Sequence, residues 1–341
     1  MTCDLRGRSF LSLDELADEE IEHLLTVAAS MDAAPAEPPP LKGVSVALLI
    51  FNPSLRTRLA AEVAMADLGG HAAVLAPGQD AWKWEFRRGA VMDGEAVEHV
   101  RDAVGTISRM VRGIGIRSFA GMKSWQEDSA EPVLRAVAES ATVPVYNLES
   151  AQDHPLQSLA DLLALRGAIG PDLKGKRLAL TWAPHPNPLP MAVPHAVLRA
   201  AARAGMAVTV CCPAGFEPDP AFLDLSRRVA TDRGGSLAVS TDRIAGLAGA
   251  EAVYAKSWGA PSFYGRWDEE AKIRGALADW TVGRERMEAA APKARFLHCL
   301  PVRRNVVAAD DVIEGAGSLV MQQARNRLLV QKAVFLETLR P

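Results

Sequence analysis

Short apolar runs alternate with longer amphipathic segments along most of this chain. The runs Val44–Phe51, Gly113–Arg117 and Arg177–Trp182 have the length and composition of buried β-strands. The stretches between such runs are long enough to hold a helix, and parallel strands require a crossover of that kind. The alternation therefore predicts an α/β fold in which doubly wound parallel sheets are covered by helices on both faces.

The expected elements form two series, separated by a linker at residues 167–175. Apolar residues at helical spacing predict an opening amphipathic helix: Leu13, Leu16, Ile21, Leu24, Leu25 and Ala28. Four prolines within residues 33–40 predict an extended connector after it. Strands are expected at 44–51, 72–75, 113–117, 143–147, 177–182, 207–212, 252–255 and 295–299, and further helices at 57–68, 96–110, 132–139, 191–204 and 326–339.

The length of 341 residues suits two domains, each large enough for its own hydrophobic core. The first domain is expected to span residues 1–150 together with the C-terminal segment 326–341, and the second to span residues 151–325. Ligands of such sheets bind beyond the carboxyl ends of the strands, so we expect the functional residues there.

Charge and hydropathy exclude several kinds of partner. The net charge of −3 provides no basic field for nucleic acid or for an anionic membrane. No run approaches the ~20 apolar residues of a membrane span, and the first residues lack the pattern of a signal peptide. The cysteines show neither metal-ligand spacing nor a disulfide framework, which favours a reducing cytoplasm: Cys3, Cys211, Cys212 and Cys299.

The segment Ser54-Leu55-Arg56-Thr57-Arg58 directly follows the first long apolar run and precedes a predicted helix. The first N–H groups of a helix have no partner within the helix, and the helix dipole favours negative charge there. Two hydroxyls and two guanidinium groups add further donors, a combination suited to a phosphoryl group. Taken alone, the segment fits a capped helix with solvated arginines equally well.

Three further motifs follow in order along the chain: Ile116-Arg117, His154-Pro155-Leu156-Gln157 and His298-Cys299-Leu300-Pro301. Together with the first segment they resemble the transcarbamylases, the aspartate and ornithine carbamoyltransferase superfamily, and the resemblance covers nearly the whole chain. It implies two doubly wound α/β domains, carbamoyl transfer from carbamoyl phosphate without a metal or organic cofactor, and a homotrimer with sites at subunit interfaces. It also implies a trefoil knot in the second domain, in which the loop His185–Pro190 takes part.

The resemblance also implies roles for individual residues. The phosphate would be bound by residues 54–58, the carbonyl oxygen by Thr57, Arg117 and His154, and the carbamoyl amide by Gln157 and the backbone near Cys299. Trp82 would reach a neighbouring subunit's site, and Arg327 would close the site from the last helix. The implied carbamoyl phosphate-binding set is Ser54, Leu55, Arg56, Thr57, Arg58, Trp82, Arg117, His154, Gln157, Cys299, Leu300 and Arg327, of which Arg56, Thr57, Arg117, His154, Gln157 and Cys299 would be catalytic.

The acceptor half resembles the branch of the family that acts on N-acylated ornithine. The Asp-x-x-x-Ser-Met-Gly loop with which ornithine enzymes bind the free α-amine is not found, and the chain runs Gly259–Gly265 after Trp258 instead. Acylation removes the charge of that amine, so an aspartate partner is no longer needed. Lys256 and Arg303 would bind carboxylate. The implied acylornithine-binding set is Val97, Glu149, His185, Leu189, Lys256 and Arg303.

Two positions favour a succinyl over an acetyl group on the acceptor. Acetyl enzymes have a glutamate shortly after Met-Asp-Gly, where this chain has Val97, and a lysine after Arg-Arg-Asn, where it has Val307. An uncharged residue removes the repulsion that a glutamate would exert on a second carboxylate. The function expected is carbamoyl transfer to N-succinyl-L-ornithine in arginine biosynthesis, with N-acetyl-L-ornithine as the alternative.

Two other classes of protein remain open. A nucleotide-dependent Rossmann enzyme would share the α/β alternation, but neither a G-x-G-x-x-G nor a P-loop motif follows a strand. A non-catalytic transcarbamylase relative is kept open by Gln323, which stands where the branch has an acidic residue. A glutamine can replace the hydrogen bonds of that residue but not its charge.

Overall fold

A computed structural model describes residues 3–31 and 35–340, which divide into two compact units. Unit 1 contains the described residues up to Gly121, Gln126–Leu159 and the chain from Arg327 onward. Unit 2 contains Met122–Trp125 and Ala160–Asn326. Each unit has the parallel α/β architecture that the alternation predicts.

Unit 1 is built on a four-stranded parallel sheet. The first six strands of the chain are β1 (Ser45–Ile50), β2 (His71–Leu75), β3 (Trp84–Glu85), β4 (Glu98–His99), β5 (Gly113–Arg117) and β6 (Val145–Glu149). The sheet has the order β2-β1-β5-β6, and β3 and β4 form a separate parallel pair. The first six helices are α1 (Asp18–Ser30), α2 (Leu55–Asp67), α3 (Val100–Ile107), α4 (Trp125–Ser129), α5 (Pro132–Ser140) and α6 (Pro155–Ile169).

Unit 2 is built on a five-stranded parallel sheet. Its strands are β7 (Arg177–Trp182), β8 (Ala207–Cys211), β9 (Ser236–Ser240), β10 (Ala252–Lys256) and β11 (Arg295–Leu297), in the order β11-β10-β7-β8-β9. The remaining helices are α7 (Ala192–Arg203), α8 (Pro220–Asp232), α9 (Trp267–Arg274), α10 (Arg284–Glu288), α11 (Asp310–Ile313) and α12 (Val320–Leu339). Helices α4, α6 and α12 have residues in both units.

Apolar side chains of the central strands form the core of each unit. In unit 1 the core includes Leu49, Ile114 and Ile116, packed against α3 and α5 through Val104 and Val137. Strands buried on both faces read as continuous apolar runs, which is why these strands were predictable. The six apolar residues of the opening segment are all buried, and a 3₁₀ turn at Leu13–Glu15 precedes α1.

Several predicted boundaries differ from the structure. The helix expected at 96–110 begins only at Val100, because Glu98–His99 pairs with Trp84–Glu85 and the His99 ring accepts a hydrogen bond from the Arg101 N–H at 3.2 Å. The helix expected from residue 326 begins at Val320. Ala33 and Ala34 of the predicted connector lie outside the described residues, and residues 35–40 belong to no helix or strand.

Helix α6 was not predicted. Most of its residues are buried around the whole circumference, so it lacks the polar face that makes a helix recognisable from its periodicity. Helices α8 to α11, strand β9 and the short pair β3–β4 were also missed. Within the described residues, no helix is both long and apolar enough to cross a membrane.

Candidate active site

The end of β1 and the start of α2 form the first part of the site, in unit 1. Ser54 caps α2, since its hydroxyl accepts a hydrogen bond from the Thr57 N–H at 3.1 Å. Thr57 is buried and Arg56 is half-buried, whereas Leu55 and Arg58 are exposed. Arg58 bonds Glu62 at 2.6 Å along the same helix. The helix start therefore presents donors of three kinds, a cap hydroxyl, backbone N–H groups and guanidinium groups.

Arg117 connects the carboxyl ends of three strands. It is the last residue of β5 and is buried, and its guanidinium donates to the carbonyls of Asn52 at 3.2 Å and Pro53 at 3.4 Å, just after β1. The same group donates to the Thr57 hydroxyl at 3.3 Å and forms an ion pair with Glu149 at the end of β6. These contacts hold the start of α2 against the edge of the sheet.

Arg327 of α12 joins this group from the other side. It is buried and donates to His154 Nε2 at 3.0 Å, Gln157 Oε1 at 2.9 Å and the Thr57 hydroxyl at 3.3 Å. A guanidinium has no lone pair, so His154 Nε2 accepts this bond, and a neutral His154 ring then carries its proton on Nδ1. His154 Nε2 also lies 3.5 Å from the Glu149 carboxylate.

The six residues joined in this way form the Arg117 cluster: Thr57, Arg117, Glu149, His154, Gln157 and Arg327. The cluster holds two guanidinium groups against one carboxylate, and every side chain except that of Glu149 is buried. An excess of positive charge in a buried environment attracts an anion far more strongly than the same charge in water would. In a chain whose net charge is −3, the cluster is therefore a candidate anion site.

Unit 2 contains a second group of cations around His185. Lys256 ends β10 and is half-buried. Arg303 Nε donates to His185 Nε2 at 3.0 Å, so that ring nitrogen is an acceptor. His185 Nδ1 consequently bears the proton and can donate to the Asn187 carbonyl at 2.8 Å. The contacts therefore describe a neutral His185.

The surroundings of His185 favour this neutral state. Burial lowers the pKa of the ring, the hydrogen bond to Asn187 raises it, and the charges of Arg303, Lys256 and Arg274 lower it further. Arg274 is itself buried and is paired at 2.5 Å with the buried Glu270. Within the described parts of the chain, neither Lys256 nor Arg303 has a carboxylate partner.

The segment His298–Pro301 also lies in unit 2. The His298 N–H donates to Gln323 Oε1 at 3.0 Å, and Gln323 Nε2 donates to Asp161 Oδ1 at 2.6 Å. His298 Nδ1 in turn accepts a hydrogen bond from the Leu300 N–H at 2.9 Å. Cys299 is half-buried beside this chain of contacts.

The structure thus places the predicted residues in separate groups. Glu149, expected in the acceptor set, is ion-paired with Arg117. Leu189 is half-buried, and its carbonyl accepts from the Gly259 N–H at 3.0 Å. Sequence reasoning missed Asp161 and Arg274, although each lies four residues after another polar residue on a helix, a spacing that places both on one face.

Trp82 and Val97 lie outside the Arg117 cluster. Both are exposed, at 65% and 61% of their surface. Trp82 lines a cleft of about 510 Å³ that includes Trp84 and Glu98, and no member of the Arg117 cluster is among its lining residues. Val307 is only 2% exposed and belongs to the hydrophobic core of unit 2.

Comparison with known proteins identifies the family. The carbamoyl-P binding domain model of aspartate/ornithine carbamoyltransferase matches residues 8–167, and the Asp/Orn binding domain model matches residues 191–338. The chain belongs to the aspartate/ornithine carbamoyltransferase family. The reaction class of this family is carbamoyl transfer. Five of the six members of the Arg117 cluster, all except Arg327, lie within the region matched by its carbamoyl-P binding domain.

Individual relatives are similar over most of the chain. An N-acetylornithine carbamoyltransferase of Xanthomonas campestris pv. campestris is 43% identical over 332 residues, covering 96% of both chains. An N-succinylornithine carbamoyltransferase of Bacteroides fragilis is 36% identical over 280 residues, covering 82% of both. A solved N-acetyl-L-ornithine transcarbamylase, in which one glutamate is replaced by valine, was complexed with carbamyl phosphate and N-succinyl-L-norvaline; its TM-score is 0.93 at 42% identity, covering 96% of this chain and 99% of that one.

The charges around His185 generate a prediction. Replacing Arg303 by methionine removes one positive charge and the donor to Nε2, so the pKa of His185 should rise, while staying below 6.5 because burial remains. Nitrogen-detected NMR of the ring across pH 4–8 measures this pKa. Arg304→Met is the matched control, since Arg304 is exposed and bonds Asp310 and Glu314 at 2.6 Å each. An Arg303→Met ring that titrates like that of the unmodified protein would contradict the assigned contact.

Proposed function

We propose that this protein transfers the carbamoyl group of carbamoyl phosphate to the δ-amine of N-succinyl-L-ornithine, in an arginine-biosynthesis route that runs through acylated intermediates. The observation that carries the choice of acceptor is the charge around His185 in unit 2. Lys256 and Arg303 are two cations without a carboxylate partner within the described residues, and N-succinylornithine has two carboxylates. N-acetylornithine has only one.

The Arg117 cluster supplies what the reaction requires of its donor substrate. The amine nitrogen attacks the carbonyl carbon, the bond from that carbon to the phosphate oxygen breaks, and inorganic phosphate leaves. Ser54, Arg56 and the N–H groups at the start of α2 would neutralise the departing phosphate. Thr57 and Arg117 would donate to the carbonyl oxygen, where negative charge develops.

The remaining members of the cluster would orient the carbamoyl group. Gln157 Oε1 accepts a hydrogen bond from Arg327, and because an amide oxygen can accept two, Gln157 would also accept one from the carbamoyl NH₂. His154 Nε2 accepts a bond from Arg327, so His154 would act on the carbonyl oxygen only after its contact with Arg327 changes. The backbone at Cys299 and Leu300 would complete the contacts to the carbamoyl group.

The residue at position 97 also supports a succinylated acceptor. Val97 is exposed and uncharged, so nothing at this position repels a second carboxylate. The solved relative with a valine in place of a glutamate was complexed with a succinylated ligand. We propose that the position exchanged in that relative corresponds to Val97.

N-acetyl-L-ornithine is the second candidate acceptor, and overall similarity favours it. The relative named for the acetyl substrate is 43% identical over 96% of this chain, against 36% over 82% for the relative named for the succinyl substrate. Overall identity reports the whole fold, however, whereas acceptor choice depends on the few residues that contact the acyl group.

A reducing cytoplasm is the proposed location of the enzyme. All four cysteines, namely Cys3, Cys211, Cys212 and Cys299, lie within the described residues, and each is a free thiol. Free thiols are typical of proteins kept in a reducing compartment.

Phosphate release from carbamoyl phosphate, measured in parallel with ornithine, N-acetylornithine and N-succinylornithine, tests the proposed function. We expect the highest kcat/KM with the succinylated amine, because it alone brings two carboxylates to Lys256 and Arg303. A preference for the acetylated amine would show that N-acetylornithine is the acceptor and would leave the proposed reaction unchanged. Binding of carbamoyl phosphate without turnover of any acceptor would instead indicate a non-catalytic relative.

The substitution Val97→Glu should shift preference from succinyl- towards acetyl-ornithine. The new carboxylate would repel the succinyl carboxylate by about 1–3 kcal/mol, which lowers the ratio of the two kcat/KM values at least about fivefold. Val91→Glu is the matched control, because Val91 is also exposed and lies in the same segment. An unchanged ratio in Val97→Glu would remove position 97 as the determinant of acyl preference.

A closed homotrimer, with Trp82 acting in a neighbouring subunit's site, is part of the proposed function. Large apolar side chains exposed in unit 1 support an interface there: Leu55, Leu59, Trp82, Val91, Met92 and Val97. If sites are shared, mixing inactive Trp82→Ala with inactive Arg56→Ala subunits should restore activity above the sum of the two. Mixed oligomers verified by mass spectrometry that show no such gain would place each site within one subunit.

A further inference from the structure

The Asp161–Gln323 bridge links a buried carboxylate to the backbone of the His298–Pro301 segment. Both ends of the Gln323 side-chain amide are hydrogen-bonded, the oxygen as acceptor and the nitrogen as donor. Its Oε1 accepts from the His298 N–H at 3.0 Å, and its Nε2 donates to Asp161 Oδ1 at 2.6 Å. Asp161 and Gln323 are 3% and 1% exposed, so water does not compete for these bonds.

The bridge acts on a segment whose backbone needs support. Leu300 has φ of 53°, in the left-handed region that side chains other than glycine rarely adopt. The His298 ring holds this conformation by accepting from the Leu300 N–H at 2.9 Å, and His298 itself is held by Gln323. A strained conformation of this kind persists only where neighbouring contacts over-determine it.

Of the two side chains of the bridge, only that of Asp161 can ionise. A carboxylate at position 323 could still accept from the His298 N–H, but it would face Asp161 at hydrogen-bond distance, and one of the two acids would have to keep a proton. Titratable groups near the bridge include the Tyr254 hydroxyl, the Cys299 thiol and the His298 ring. Burial, followed by the effects of Asp161 and Cys299, raises the pKa of Tyr254 well above its ordinary value, so Tyr254 adds no second negative charge.

We propose that Asp161 and Gln323 are positioning residues for carbamoyl transfer, which set the backbone of Cys299 and Leu300 through His298. This inference rests on the proposed function, in which that backbone contacts the carbamoyl group. It also explains the glutamine at position 323. With an acidic residue already at Asp161, an amide is the group that can donate to the carboxylate on one side and accept from the backbone on the other.

The substitution Gln323→Glu tests this proposal through its pH dependence. Above the pKa of the new acid pair the bridge breaks, and kcat should fall about tenfold to a hundredfold while the KM of the acceptor stays unchanged. As pH falls, one acid regains a proton and can donate as the amide does, so the ratio of variant to unmodified kcat should rise. Gln126→Glu is the matched control, because it makes the same exchange at an exposed residue of another helix, α4.

The double substitution Asp161→Asn with Gln323→Glu should restore kcat at every pH, because the amide and the carboxylate have exchanged places. The proposal would be overturned if the ratio of Gln323→Glu kcat to unmodified kcat did not vary with pH. It would also be overturned if the kcat of the double variant were no higher than that of Gln323→Glu. Melting temperatures of Gln323→Glu across pH 5–9 provide a readout independent of activity. The melting temperature of Gln323→Glu should fall further below that of the unmodified protein as pH rises, since folding raises the pKa of the acid pair.

Different results would contradict the proposed carbamoyl transfer and the proposed positioning role of the bridge. If the unmodified protein transfers no carbamoyl group to any acceptor, the proposed function fails, while the melting series still measures the acid pair. If Gln323→Glu shows the pH-dependent melting deficit but a constant ratio of kcat, the bridge contributes only to stability, and the positioning role is wrong.

Discussion

The candidate site in unit 1 depends on one buried guanidinium, that of Arg117. The backbone bonds from the Phe51 N–H to the Arg117 carbonyl at 3.0 Å and from the Ser118 N–H to the Glu149 carbonyl at 2.9 Å join the carboxyl ends of β1, β5 and β6. The Arg117 side chain extends this connection to the start of α2. Its guanidinium contacts the carbonyls after β1, the hydroxyl at the start of α2 and the carboxylate at the end of β6. A planar group with five donors in fixed directions can make all these contacts at once, which a lysine cannot.

In unit 2 a neutral side chain, the Gln323 amide, holds the backbone after a strand. The segment after β11 holds a left-handed residue, Leu300, within the fourth motif along the chain, His298–Pro301. Here the Gln323 amide donates to Asp161 and accepts from the His298 backbone N–H, and the His298 ring accepts from the Leu300 N–H. In both units, side chains that bond the backbone keep strand ends in a defined geometry, and the chemistry proposed for the protein is placed on that geometry.

The strands and the motifs could be predicted from the sequence because both are local signals. A strand buried on both faces is a short apolar run, and each motif lies where such a run ends. Helix α6 escaped detection because burial all round removes its periodicity, and the pairing of Glu149 with Arg117 escaped because it joins residues 32 positions apart on different strands. The role of Gln323 could not be predicted from the sequence either, because it depends on a contact with Asp161, which lies 162 positions away in the chain.

Positions 97 and 307 differ in how freely they can vary. Val97 is largely exposed, so a charged residue there costs little folding stability. Val307 is packed among Val282, Phe296 and Ala308, so a lysine in its place would have to bury an ammonium group or rearrange the core around it. A lineage of such proteins can therefore change residue 97 in one step, whereas a change at residue 307 becomes tolerable only after other core residues have made room for it.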